Sequence, residues 1–194
     1  MDGNMAATKI AATMDRALPL AEAMRPVLPR SVKQRVDARR ASIEEDRIRK
    51  MIAEKSYDFS KLGTLGVDQR AIVDNAVRRA VQWMVMRHMS TSASVGEIAR
   101  KTKGYEGDAV TKGILDVIIE GGPNGMGGVV YCFRSYGPEG AVRSVKESLA
   151  QFGISRKDPE LRSRIDALIG RFQSEGKSRW ASYIMEIPEP EYGH

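Results

Sequence analysis

The chain has one cysteine, Cys132, and two histidines, His88 and His194. A lone cysteine excludes an intrachain disulfide and fits a reducing compartment. Two histidines so far apart give no metal-ligand spacing. Nor do they support a Ser/His/Asp or Cys/His set, since either would have to rest on His88 alone. Cys132, within an apolar run, reads as a small packing residue rather than a nucleophile. The glycines at 121–128 lack the Lys-Ser/Thr pair of a phosphate loop and precede a strand-like run instead of a helix. No enzymatic chemistry and no cofactor are therefore expected. Aromatic residues are scarce, at 6%, and are not interleaved with the basic ones, so DNA and RNA are not distinguished. No apolar run is long enough to span a bilayer. The opening MDGNMAATKI lacks the basic-then-apolar order of a secretory signal. The expectation is a soluble intracellular protein, cytoplasmic or nucleoid, or a virion component if viral, with no membrane partner.

What the chain does have is positive charge in particular places. Its net charge is +6 and its pI near 9.5. Residues 30–50 carry eight basic and four acidic groups, and residues 71–136 eight against six, whereas 1–29, 51–70 and 137–194 balance. The whole surplus lies in two segments, which points to an anionic partner such as nucleic acid. A solvated mixed-charge helix face is the plainer alternative.

Residues 5–28 are alanine-rich and broken by Pro19 and Pro26. From Ser31 to Lys55 there is no glycine or proline, so one helix is expected, with sparse apolar positions at Val32, Val36, Ile43, Ile48, Met51 and Ile52. Residues 56–67 form a linker. The helix after Asp68 is expected to be the hub of the core: Val73, Val77, Ala80, Val81, Met84 and His88 recur at helical spacing. Ser94 and Glu97 then form an S-x-x-E capping box, and Gly104 is placed to end that helix. A third helix from Asp108 carries Val110, Ile114, Leu115, Val117, Ile118 and Ile119. Gly121-Gly122-Pro123 stops it, Asn124-Gly125 suggests a tight turn, and the β-branched and aromatic run Val129–Phe133 reads as a strand. Beyond Gly137-Pro138, two amphipathic helices follow. The second opens on an Asp158-Pro159 cap and bears Leu161, Ile165, Leu168, Ile169 and Phe172. Residues 180–187 fit either strand or helix, and the acidic, proline-broken end reads as a surface tail.

Over residues 67–137 this order resembles a winged helix-turn-helix domain. The resemblance rests on Glu97-Ile98-Ala99, Val110, Ile114-Leu115 and the glycine-flanked VVYCFRSY. It implies a third helix entering the DNA major groove and a hairpin wing touching the backbone. The turn between Ala99 and Val110 is one residue longer than that pattern usually has, and Glu106 and Asp108 place negative charge where phosphate would lie. The expected architecture is mainly α. It has an N-terminal helical arm and linker (1–62), a winged-helix-like three-helix core with a small β-hairpin (63–137), and a C-terminal αα-hairpin with acidic tail (138–194).

The expected function is non-enzymatic nucleic-acid binding. The residues expected to carry it are Arg35, Arg39, Arg40 and Arg47 on the basic helix, with Arg100, Lys101, Lys103, Thr111, Lys112 and Arg134 on the core. The alternative is a structural protein, such as a viral coat or nucleocapsid subunit, that self-associates into a larger assembly through its helical arms.

Overall fold

A computed structural model describes residues 17–88, 92–123 and 128–188. The described residues are helical and contain no strand. They comprise α1 (17–23), α2 (Arg30–Ala53), α3 (Val67–His88), α4 (Ser92–Lys101), α5 (Ala109–Leu115), α6 (Gly128–Gln151), α7 (Pro159–Ser174) and α8 (Ser178–Met185), with short 3₁₀ turns at Arg25–Val27 and Phe59–Thr64. The chain divides into two compact units, Met1–Arg47 and Ile48–His194.

In the smaller unit, α1 folds back against the first part of α2 as a helical hairpin. Glu22 pairs with Arg40 at 3.4 Å, Asp37 with Arg25 at 3.0 Å, and Lys33 Nζ donates to the Pro26 carbonyl at 3.3 Å. These partners step in opposite directions along the chain, so the two segments run antiparallel. Its apolar side chains mostly face water, with Val36 buried.

In the larger unit α3 is the hub, as its periodicity indicates. Val73, Ala76, Val77, Ala80, Val81, Met84 and Val85 are buried. The side chain of His88, expected to close that stripe, lies outside the described set. Val77, Val81, Met84, Ile98, Leu115 and Ile118 belong to one apolar cluster. The crossing of α3 and α5 is close enough to require glycine: a Cβ on Gly113 would stand 2.6 Å from the Arg78 carbonyl oxygen and 2.9 Å from Val81 Cβ. Ser94 does not cap α4. It lies inside the helix, buried, and Glu97 instead pairs with Lys101 at 2.7 Å. Asp158 does cap α7, accepting from the amides of Glu160 and Leu161. The ambiguous segment, residues 180–187, is helical as far as Met185 (within α8), where Trp180 meets Phe133 at a tilt and Phe172 edge-on.

The wing is the main correction. Residues 129–133 are helical, within α6, and there is no hairpin among the described residues; the expected Asn124–Gly125 turn lies outside them. β-Branched residues raise strand propensity, but what decided here is burial at helical spacing. Val129 and Phe133, four apart, are both buried, and Phe133 meets Phe172 and Trp180 edge-on or tilted. A strand would have sent Val129, Tyr131 and Phe133 to the same side, yet Tyr131 is 44% exposed. The α6 helix is interrupted at Gly137, whose φ of 72° and ψ of 176° break the spiral just before Pro138. Without a wing the winged-helix resemblance fails, and with it the fold class that included a β-hairpin.

The expected recognition helix fails for a second reason. After α5 the chain continues into a π-helical turn, Asp116–Glu120, closed by Gly121 at φ 100°. Every residue from Gly113 to Ile119 is buried. From Gly113 on this helix is enclosed by its neighbours, leaving only the half-buried Val110, Thr111 and Lys112 near its start to reach a groove.

Candidate functional site

Isolated charges are not buried without partners, because the desolvation cost is several kcal/mol per ion. Asp116, 3% exposed, and Arg164, 9% exposed, are therefore the first positions to account for. Both oxygens of Asp116 are used. Arg78 binds it bidentately, Nε to Oδ2 at 2.6 Å and Nη2 to Oδ1 at 2.7 Å. Arg164 Nη1 reaches Oδ1 at 2.6 Å, and Gln82 Nε2 donates to Oδ2. Arg164 also holds Glu120 at 2.7 Å and Glu160 at 2.8 Å. The π-turn, with its wider spiral, carries Asp116 and Glu120, so the cluster ties that turn to α3 and α7.

Burial alone would raise the Asp116 pKa, yet the hydrogen bonds from Arg78, Arg164 and Gln82 outweigh it and hold the carboxyl below its ordinary range. An ionised carboxylate whose four acceptor positions are all taken has no lone pair left for a base's work. The cluster is a structural clip. Its signals were present in the sequence. Asp116 interrupts the apolar run from Ile114 to Ile119, and Arg164 falls on the Leu161–Ile165–Leu168 stripe of α7, where a charge needs a partner.

A second polar set joins α3 to the loop after α4. Asp74 accepts from the Tyr105 hydroxyl at 2.7 Å and from Arg70 Nε at 3.0 Å, and Arg70 Nη2 donates to the Glu106 carbonyl. Burial, then the hydrogen bond to Asp74, pushes the Tyr105 pKa well up, so the phenol stays neutral. Burial also pushes the Cys132 thiol up, which removes thiolate character. Among the described residues no cluster of His, Cys, Asp or Glu could hold a metal, and no helix is long and apolar enough to cross a membrane.

The expected binding residues fall into separate groups. Within the smaller unit, Arg35 is exposed on α2, and Arg39, one turn on, is half-buried. Arg40 and Arg47 lie roughly a third of a turn further round the helix; both side chains reach water, at 65% and 67% exposed, while pairing with Glu22 and Glu44. These arginines spread over roughly 140° of the helix circumference and do not form one narrow stripe. Within the larger unit, Arg100 and Lys103 are exposed at the end of α4, but Lys101 is drawn back onto Glu97 and only 18% exposed. Lys112 is held by Asp108 at 2.7 Å, and Asp108 makes no cap bond to backbone amides. Thr111 is half-buried on the enclosed α5. Arg134 is exposed on α6, on a helix where a wing strand was expected.

Compared with known proteins, the sequence matches no family model, no curated protein and no solved structure.

Proposed function

We propose that this chain is a non-enzymatic nucleic-acid-binding protein that makes its contact through the arginine-rich helix α2. One observation carries the reading. The surplus of eight basic over four acidic groups in residues 30–50 lies on a helix whose Arg35, Arg40 and Arg47 side chains face solvent. Exposed arginines on one broad side of a helix can meet a phosphate backbone laid along it and supply sequence-independent, salt-dependent affinity. Replacing Arg35, Arg39, Arg40 and Arg47 together with glutamine is expected to weaken binding to a random-sequence duplex. Unchanged binding by the folded variant rejects the reading.

A second reading, a structural subunit that assembles through its helical arms, is favoured by a different observation. Leu20, Met24, Val27, Val32 and Ile43, all in the smaller unit, are between 37% and 76% exposed. Apolar surface of that kind suits a second copy. Light scattering with and without nuclease separates the two: a large nuclease-sensitive particle marks an assembly on nucleic acid, a small discrete species a simple binder.

A further inference from the structure

Within the larger unit, the last turns of α2 together with α3 and α4 wall a groove of about 490 Å³, within the ~300–1,000 Å³ range of small-molecule sites. Each wall brings two residues one helical turn apart: Arg49 and Ala53 from α2, Trp83 and Arg87 from α3, Glu97 and Lys101 from α4. The α3 wall is completed by Met84 and Met86, whose flexible thioethers adapt to a flat guest. Trp83 is 49% exposed although Val81, Met84 and Val85 beside it are buried. Its indole is thus anchored on the hub helix with much of its surface in water. The groove's charged residues are three cations and one carboxylate, and the carboxylate is taken by Lys101 at 2.7 Å.

We propose that this groove is a base-stacking site for single-stranded nucleic acid, with one base on Trp83 and its phosphate toward Arg87. The proposal rests on the nucleic-acid reading above and deepens it by naming the strand form. Residues four apart on a helix are ~5–6 Å apart at Cβ, which suits a base and the phosphate of its own nucleotide. An aromatic platform in a cationic groove is the general device for holding single strands without reading sequence. An acidic peptide would satisfy the same cations but makes less use of a flat, half-exposed indole set among Ala53, Ala80, Met84 and Met86. A duplex keeps its bases stacked and cannot use the site.

The test is a fluorescence titration of the full chain carrying Trp180→Phe, which leaves Trp83 as the sole indole, with an oligothymidylate about 20 nucleotides long. Saturable quenching of Trp83 is expected. Trp83→Ala should weaken oligothymidylate binding about ten-fold or more. Trp83→Phe should stay within about three-fold, and a duplex of equal length should bind all three chains alike. Unquenched emission at saturation, or Trp83→Ala binding as tightly as its parent, overturns the proposal; if the arginine-to-glutamine variant still loses affinity, the α2 reading stands without it. Failure of the parent chain to bind either strand form overturns both. Quenching by an oligoglutamate peptide and not by oligothymidylate makes the groove a protein-docking site and rejects the nucleic-acid assignment. If Trp83→Ala fails to fold, the quenching arm still decides.

Discussion

Asp116→Asn tests the buried clip most sharply. The amide keeps the shape of the carboxylate but removes its charge and turns an NH₂ toward guanidinium donors that need an acceptor. Arg164, 9% exposed, then keeps Glu120 and Glu160 but loses the partner deepest in the fold. Breaking a buried pair by removing one partner costs about 3–5 kcal/mol, mostly the penalty of the charge left behind. With a urea m-value of about 2 kcal/mol/M, the unfolding midpoint should fall by roughly 1.5–2.5 M at neutral pH. The pH dependence has a fixed sign. The folded-state pKa of Asp116 is depressed, so its stabilisation is fully present above the unfolded carboxyl value of about 4 and is lost as pH falls through the folded value. The gap between wild type and Asp116→Asn should therefore be complete at pH 7 and narrow in acid below about pH 4. Urea melts followed by circular dichroism at both pH values provide the assay. A midpoint shift under about 0.5 M at pH 7 would refute the reasoning, and would mean that Arg164 and Arg78 find water or other acceptors at little cost.

Two smaller predictions concern packing and reactivity. Gly113→Ala should destabilise the protein by about 1–3 kcal/mol, since its Cβ would meet the Arg78 carbonyl at 2.6 Å, whereas Gly170→Ala, on α7 with nothing within 4 Å, should be neutral or stabilising by up to about 1 kcal/mol; thermal melts of the two variants should move in opposite directions or differ by several degrees. Cys132 should react with iodoacetamide at pH 7 more slowly than a free thiol, because burial raises its pKa; mass spectrometry of the native chain over time checks this, and a rate equal to that of a free thiol contradicts it.

The parts of the fold that could be read from the sequence share one property: local signal and tertiary demand agree. The α3 stripe from Val73 to Met84 and the Asp158-Pro159 start of α7 are of this kind, with an apolar period and a cap that the structure uses directly. The misread run from Val129 to Phe133 is where they conflict. Its β-branched residues and flanking glycines favour a strand locally, and only packing against Phe172 and Trp180, about forty residues away in sequence, makes the helical spacing decisive. The third helix was misjudged differently. Its broad apolar face was visible, but a pattern that apolar marks a central helix buried on all sides, not one presenting a polar face to DNA. Of the candidate site, the basic segment was readable because charge counts need no fold. The partners that draw Lys101 and Lys112 back, Glu97 and Asp108, were also in reach, each four residues N-terminal to its lysine. The Trp83 groove was not, since its walls come from three helices spread over about fifty residues.

The central claim, that α2 contacts nucleic acid through its arginines, is tested most directly by the salt dependence of affinity. For duplex DNA the slope of log K against log salt is about −0.9 per phosphate neutralised. The wild-type chain should show a steep negative slope on a random-sequence duplex, and the Arg35, Arg39, Arg40 and Arg47 to glutamine variant a slope shallower by about 2–4. Parallel slopes from two equally folded chains would contradict the account and leave α2 as a surface for protein contact.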